Sequence, residues 1–365
     1  MPSWSQAQEQ TLFTLSMLPG LGACYEGDVP TIEQELAGKL DSVLLALQGE
    51  IGEWKVIWGP AVFELPRSTR PDNTIFVAQR HGGDPGLPNL VVAIAGTNPY
   101  SFLDWLVEDF FVTPQVPWLT GHPTGSPMIS LGTFIGLAAL QNLRPSPGLP
   151  GEYLTVRELL ALHALLLPVT INVCGHSLGG ALSPTLALWL HDTQALWNHF
   201  GHASLSVLAS AGPTAGNQAF AAYSNAQIGS QVTRMFNPLD MVPHAWATAD
   251  LLALPQLYAP LIQPDPFLEA LVALAIVISA GGGYTQIATA QGLPAEPPNP
   301  AILDFLRQAA YQHVDAYFDL LGIPDRRKIF ECVQATARQL GPVDPTARVM
   351  SNIAKHRLGA RLAAG

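Results

Sequence analysis

The stretch TINVCGHSLGGAL at residues 170–182 constrains the fold more than any other part of the chain. Its apolar first half is typical of a strand, and the residues after Ser177 are typical of a helix. Gly175 and Gly179 flank Ser177 in a G-x-S-x-G pattern, and side chains at those two positions would clash in a tight strand-to-helix turn. We therefore predict a strained turn that raises the Ser177 hydroxyl at a helix N-terminus, where developing negative charge is favoured. The alternative is an ordinary glycine-rich turn with a helix-capping serine.

The rest of the chain alternates between strand-like and helix-like segments. LVVAIAG at 90–96 is a continuous apolar run, typical of a strand that is buried on both faces. The other candidates are strands at 204–212 and 231–236 and helices at 31–48 and 155–167. This alternation predicts an α/β fold with a mostly parallel central sheet flanked by helices, formed by a single domain over residues 1–365. In such sheets ligands bind at the carboxyl ends of the strands.

The charge content limits the classes of partner. The chain has 17 basic and 28 acidic residues, and this 12% charged fraction is about half the roughly 25% of typical soluble domains. A net charge of −11 argues against nucleic acid or an anionic bilayer as an electrostatic partner. The longest apolar stretch, 270–280, is too short for a transmembrane helix, which needs about 20 residues. We expect no membrane-spanning segment, and we expect apolar surface that an apolar ligand can contact.

The cysteines and the absence of metal motifs limit the chemistry. Cys24, Cys174 and Cys332 allow one disulfide at most and leave one thiol over. Cys174 lies in an apolar run, which predicts a small buried core residue. The chain has no C-x-x-C pair, so we expect no structural zinc site. No D-x-D-x-D-G loop indicates a calcium site, although one could be formed in another way. Hydrolysis by a serine nucleophile requires no metal and no organic cofactor. The first residues lack the basic segment of a secretory signal, and the compartment is left open.

A nucleophilic serine needs a base and an acid, which follow it in the order Ser, Asp or Glu, His in α/β-hydrolases. Asp240 follows the 231–236 strand in the loop NPLDMVP, at a strand carboxyl end. Three later histidines, His244, His313 and His356, are candidates for the base. His244 lies in a turn beside a proline, and His356 lies in a basic tail. His313 begins a helix whose apolar side chains would anchor it to the core, so we predict Asp240 as the acid and His313 as the base.

The end of the LVVAIAG strand is a candidate for oxyanion stabilisation. Thr97 follows the strand directly, and its backbone N–H could act together with that of Leu178, the residue after the serine. Each such donor is typically worth roughly 2.7–4 kcal/mol in the transition state. The alternative for Thr97 is a simple cap of the helix that follows.

Residues 98–112 are a candidate helical lid. Apolar side chains form one helical stripe along this segment, with Phe102, Leu103, Leu106, Val107 and Phe110. An amphipathic helix at this place can cover the pocket in water and lay its apolar face on lipid when it opens. The alternative is a helix packed permanently on the core. The apolar segment 246–300 is interpreted as a helical insertion before His313. The insertion is expected to form a cap, a wall of an acyl pocket or a dimer contact.

Five sequence blocks, in this order, resemble the class 3 lipases, the family of the filamentous-fungal triacylglycerol lipases. AGTNPYSFLDWLVEDFFV is similar to the family's oxyanion strand and lid, and GHSLGGAL matches its nucleophile turn. SAGPTAGNQAF, FNPLDMVPHA and HVDAYFDLLG resemble three later blocks, the last of which we read as H-x-x-Y-F. The resemblance covers about residues 90–320 and implies an α/β-hydrolase. It implies Ser177 as nucleophile, Asp240 as acid, His313 as base, and Thr97 and Leu178 as oxyanion donors.

The sequence thus predicts a serine carboxylic-ester hydrolase, most simply a lipase that cleaves acylglycerols through an acyl-enzyme. Phospholipase A1 or feruloyl-type esterase activity on the same triad are alternatives, because the pocket cannot be read from the sequence. The negative net charge favours neutral lipid, and hence triacylglycerol, over anionic headgroups. A non-catalytic lipid-binding protein is the alternative of another class. The expected partner is a lipid or ester substrate met at a lipid–water interface.

Overall fold

Two sheets organise the protein. The computed structural model describes residues 4–64, 70–96, 112–264, 266–287 and 290–333, without the side chains of residues 267, 290 and 291. Within these ranges the strands are β1 Trp54–Phe63, β2 Asn73–Arg80, β3 Leu90–Ile94, β4 Gln115–Pro117, β5 Met128–Ser130, β6 Val169–His176, β7 Ala203–Ser210, β8 Gly216–Asn217, β9 Val232–Phe236, β10 Tyr284–Thr285 and β11 Ala290–Gly292. β1, β2, β3, β6, β7, β9 and β11 form the main sheet in that order, and β10, β8, β5 and β4 form a second, antiparallel sheet.

The main sheet is mostly parallel, as the alternation of segments predicts. β1, β2 and β3 pair antiparallel, and from β3 onward every neighbouring pair is parallel. Parallel neighbours need crossover connections, and helices supply them. The carboxyl ends of β3, β6, β7 and β9 consequently lie at one edge of the sheet. The predicted site residues follow strands at that edge.

The helices lie near the predicted positions, with one informative difference. Those of the described residues are α1 Gln6–Met17, α2 Val29–Ala46, α3 Gln48–Ile51, α4 Leu131–Asn142, α5 Val156–His163, α6 Leu178–Asp192, α7 Gln218–Ile228, α8 Thr248–Ala253, α9 Pro266–Ser279, α10 Phe305–Ala310 and α11 Ala316–Leu320. α2 starts after Asp28, whose side chain accepts the N–H of Thr31. α5 ends at His163, four residues before the predicted limit of 167, and Pro168 disfavours helical backbone at Leu167, the residue before it.

Apolar side chains cover both faces of the main sheet. Val173 of β6 packs in a cluster that includes residues of α4, α5, α6 and α7. Its neighbour Cys174 packs in the opposite cluster, together with Phe13 of α1 and Phe318 of α11. Alternating strand residues thus serve opposite layers, as they must in a sheet buried on both sides. Cys174 is a buried core residue, as predicted.

The segment before His313 is helical in part and also adds strands. α8 and α9 lie within the predicted insertion, and β10 and β11 follow them. β11 extends the main sheet beside β9, and β10 extends the second sheet beside β8. The helices share an apolar cluster with Met241 and Val242, and Leu178 packs against that cluster. The insertion therefore packs against the two loops that carry Ser177 and Asp240.

A disulfide joins Cys24 to Cys332, across 308 residues of sequence. The sequence allowed one bridge without indicating the pair. Within the part of the chain that the structure describes, no helix is both long and apolar enough to cross a membrane. The single-domain organisation and the lid at 98–112 stay predictions, and residues 97–111 lie outside the described residues.

Candidate active site

The turn after β6 has the strained geometry that its glycines predict. Ser177 lies between β6 and α6 with φ 61° and ψ −127°, and this left-handed φ is unfavourable for a residue with a side chain. A Cβ on Gly175 would collide with the backbone of Gly179, and a Cβ on Gly179 would collide with the carbonyl oxygen of Ile94. Both positions therefore require glycine. Strain of this kind clusters at functional sites.

Three side chains that are distant in sequence meet at this turn. Ser177 Oγ lies 2.8 Å from Nε2 of His313, and Nδ1 of the same ring lies 2.9 Å and 3.0 Å from the two carboxylate oxygens of Asp240. All three side chains are buried. One hydrogen-bonded line therefore runs from the hydroxyl through the imidazole to the carboxylate. The structure thus brings together the three residues that the sequence singled out.

The Asp240 carboxylate is fully satisfied by donors. One oxygen accepts the N–H of Val242 at 3.0 Å, and the other accepts the hydroxyl of Tyr317 at 2.9 Å. The same hydroxyl accepts the N–H of Asn237 at 3.0 Å. Burial, together with the nearby carboxylate, raises the pKa of Tyr317 well above its ordinary value, so its proton stays in place to be donated. These donors and the His313 ring offset the cost of burying a charged carboxylate.

His313 lies on a π-helical turn rather than on a regular helix. The π turn spans Tyr311–Asp315 between α10 and α11, and the N–H of Ala316 donates to the carbonyl of Tyr311, five residues earlier. The reading of this block as H-x-x-Y-F is wrong by one position, because three residues separate His313 from Tyr317. A π turn accommodates one extra residue in a helix. It lets His313 face Ser177 while Tyr317 still reaches Asp240.

Leu178 and Gly96 meet beside the nucleophile turn. Leu178 is the first residue of α6, and the first N–H groups of a helix have no partner within the helix. A Cβ on Gly96 would lie 2.9 Å from Cβ of Ser177 and 3.0 Å from the backbone nitrogen of Leu178. The end of the β3 segment therefore lies directly against this turn. Thr97, the next residue, is outside the described residues.

His244, the other candidate base within the described residues, makes a different contact. Nε2 of His244 lies 3.2 Å from the carbonyl oxygen of Pro238. The contact stays within the loop of Asp240, so the role of His244 is structural. His356 and the lid residues Phe102, Leu103, Leu106 and Phe110 lie outside the described residues. Among the residues that are described, no group of three His, Cys, Asp or Glu side chains could hold a metal ion.

Two tyrosines that support the acid loop were missed as site residues by the sequence analysis. Tyr317 was not named among the candidate site residues, and its hydroxyl donates to Asp240. Tyr258, from the insertion, donates to the carbonyl oxygen of Leu239, the residue before Asp240. The spacing of Tyr317 four residues after His313 could have indicated a shared helix face. No local signal could have indicated Tyr258, because its contact joins segments 19 residues apart through an irregular loop.

Comparisons with known proteins identify the family. The family model described as lipase (class 3) matches residues 152–249. A search of curated proteins finds no match. The crystal structure of M37 lipase is 34% identical, covers 91% of this chain and 98% of its own, and superposes with a TM-score of 0.82. Lipase II from Rhizopus niveus is 19% identical over 68% of this chain and 78% of its own, with a TM-score of 0.45. On the extent and identity of the M37 lipase match, this chain belongs to the class 3 lipase family, and it is an enzyme, a lipase with the α/β-hydrolase fold.

Proposed function

We propose that this lipase is a serine carboxylic-ester hydrolase that cleaves acylglycerols through an acyl-enzyme. One observation carries the proposal. Ser177 Oγ lies 2.8 Å from Nε2 of His313, and Nδ1 of the same ring contacts the buried carboxylate of Asp240. A carboxylate on Nδ1 holds the proton there and leaves Nε2 as the acceptor. The arrangement supports a serine that loses its proton as it attacks.

The reaction follows from the positions of these atoms. Ser177 Oγ attacks the ester carbonyl carbon while His313 Nε2 takes its proton, and the carbonyl oxygen becomes an oxyanion. The tetrahedral intermediate collapses, the ester C–O bond breaks, and the proton on Nε2 passes to the departing alcohol. Water then gives its proton to Nε2 and attacks the acyl-enzyme, which releases the fatty acid and restores the serine. Asp240 stabilises the imidazolium in both halves of the cycle.

The oxyanion is assigned to two backbone donors, one at the start of α6 and one after β3. The N–H of Leu178 is the first candidate, because it follows Ser177 and belongs to a helix N-terminus, where negative charge is favoured. Thr97 is the second candidate, and the preceding residue supports it, because a Cβ added to Gly96 would lie 3.0 Å from the Leu178 nitrogen. Each donor contributes about 2.7–4 kcal/mol to the transition state.

The preference for neutral acylglycerols rests on charge. The chain carries a net charge of −11, which opposes association with anionic headgroups. The apolar stripe that includes Phe102 and Phe110 supports a lid that meets lipid when it opens. We expect hydrolysis to rise when the substrate exceeds its solubility limit. If the Phe102→Asp and Phe110→Asp variants keep full activity on an emulsified substrate, the proposal of a lid is refuted.

An ester panel tests the proposal. It runs from short nitrophenyl esters through long-chain triacylglycerol to phosphatidylcholine, with wild type, Ser177→Ala and a control, Ser183→Ala. Ser183 lies in α6, the helix that begins after Ser177, and its buried hydroxyl has no hydrogen-bond partner among the described residues. We expect triacylglycerol to be cleaved best, Ser177→Ala to be inactive and Ser183→Ala to match wild type. A preference for phosphatidylcholine would reassign the substrate, and an active Ser177→Ala enzyme would refute the serine mechanism.

A further inference from the structure

His176, the residue before the nucleophile, is joined to the predicted base through the backbone. Its Nε2 lies 2.8 Å from the carbonyl oxygen of His313, and its Nδ1 lies 3.0 Å from Oγ of Ser210. The ring is 4% exposed. The contact with His313 gives His176 a specific partner in the site.

The hydrogen-bond partners fix the protonation of the His176 ring. A carbonyl oxygen only accepts, so Nε2 carries the proton and donates to His313. In the neutral ring Nδ1 is then an acceptor, and the Ser210 hydroxyl donates to it at 3.0 Å rather than to the carbonyl oxygen of Gly175, which lies farther away at 3.3 Å. Burial, and secondly the nearby His313, lower the pKa of His176 well below its ordinary value. The His176 ring is therefore neutral near pH 7 and carries no positive charge beside His313.

The place of this bond explains why it matters. His313 lies on the π turn, where the helix is widened and its hydrogen bonds follow a five-residue step. Its carbonyl oxygen receives a donor from β6, outside the helix. β6 and β7 are central strands, and His176 and Ser210 pair across them at their carboxyl ends. The bond thus ties the backbone of the base to the rigid centre of the sheet.

We propose that His176 is a positioning residue for His313: it holds the π turn so that the imidazole stays directed at Ser177. The inference rests on the proposed function, in which His313 is the base. Asp240 fixes the ring of His313 and His176 fixes its main chain, so that the imidazole is held at two points. Reacting groups need such constraint, because a misplacement of about 1 Å can cost on the order of 100-fold in rate.

Packing alone is the competing explanation. The His176 ring lies 4.9 Å from the His313 ring and makes edge contacts with Phe13 and Tyr317 at 5.8 Å and 5.1 Å. If these contacts were its whole role, any replacement that fits would lose stability and keep the turnover of the folded enzyme. A test must therefore separate the N–H donor from the filled volume.

Two amide variants make that separation. In His176→Gln the amide nitrogen sits near the position of Nε2 and can still donate to the His313 carbonyl. In His176→Asn the amide is one methylene shorter and reaches only towards Ser210. We expect His176→Asn to lower kcat on a soluble nitrophenyl ester by about 10- to 100-fold, with KM little changed. His176→Gln should retain most of kcat.

The measurements are kcat per titrated active site, KM, the melting temperature, and the NMR signal of the His313 Nδ1 proton. We expect that signal to persist in His176→Gln and to shift or broaden in His176→Asn. Equal kcat values in the two variants, at any melting temperature, would overturn the positioning role. Labelling of the wild type by a fluorophosphonate, absent in Ser177→Ala, is run alongside. If the wild type is not labelled, the proposed function fails; if it is labelled and the amides are equal, only the role of His176 fails.

Discussion

Replacement of Tyr317 by phenylalanine isolates the support of the Asp240 carboxylate. The change removes a hydrogen bond of 2.9 Å to a buried, charged oxygen, and such bonds contribute about 1.5–3 kcal/mol. It also leaves the buried N–H of Asn237 without its acceptor, which costs about 1–3 kcal/mol. We therefore expect Tyr317→Phe to lower the free energy of unfolding by about 2.5–6 kcal/mol. We also expect kcat to fall about tenfold, the equivalent of about 1.4 kcal/mol, because Asp240 holds the imidazole less firmly.

Tyr223→Phe is the matched control. The Tyr223 hydroxyl donates to Oδ1 of Asp192 at 2.9 Å, and the same carboxylate also accepts the Trp118 indole N–H and the Thr120 hydroxyl. Asp192 is the last residue of α6, at the opposite end of that helix from Ser177. The Tyr223 hydroxyl also has a backbone hydrogen bond with His122, which is exposed, so water can replace this partner. The variant should therefore lose about 1.5–3 kcal/mol and keep its kcat. Urea unfolding gives the free energies, and nitrophenyl ester hydrolysis gives kcat. The reasoning is refuted if the two variants lose equal stability and equal activity, or if Tyr317→Phe behaves as wild type.

Three further outcomes follow from the structure. Gly175→Ala should lower the free energy of unfolding by about 3 kcal/mol or prevent folding, because the added Cβ collides with backbone. Gly38→Ala, on an open helix face, should instead stabilise the protein by about 0.5–1 kcal/mol. Thermal melts of the two variants compare these effects. Reduction of the Cys24–Cys332 bridge, which closes a very long loop, should lower the free energy of unfolding by about 5 kcal/mol in urea titrations with and without dithiothreitol. A hydrogen bond with Arg144 and then backbone bonding lower the pKa of Glu158 to about 2. Because the pair is half exposed, Glu158→Gln should cost only about 0.5 kcal/mol at pH 7, and this difference should vanish as the pH falls from 4.5 through 2.

The sequence predicted the parts of the fold and site that depend on local pattern. The buried β6 strand, the glycines beside Ser177 and the start of α6 follow from residues within a dozen positions of one another. Asp240 could be located because carboxyl ends of parallel strands meet at one edge. His313 could be selected because a packed helix holds a side chain well. Their convergence at hydrogen-bonding distance is seen in the structure, while their roles in the reaction stay proposals.

The features that were not predicted depend on contacts between distant segments. Three cysteines do not indicate which pair forms the bridge, because only the fold brings Cys24 and Cys332 together. The π turn at His313 was hidden because an extra residue in a helix leaves the apolar pattern almost unchanged. The link from His176 to His313 spans 137 residues and ends on a main-chain atom, which no side-chain pattern encodes.

Covalent capture of the nucleophile tests the central claim most directly. The wild-type enzyme is treated with a fluorophosphonate, and the modified residue is located by mass spectrometry of its peptides while residual ester hydrolysis is followed. We predict one adduct per chain, on Ser177, that forms in proportion to the loss of activity and is absent in Ser177→Ala and strongly slowed in His313→Ala. Inactivation with the adduct on another residue, or ester hydrolysis that persists in a fully modified enzyme, would contradict the account.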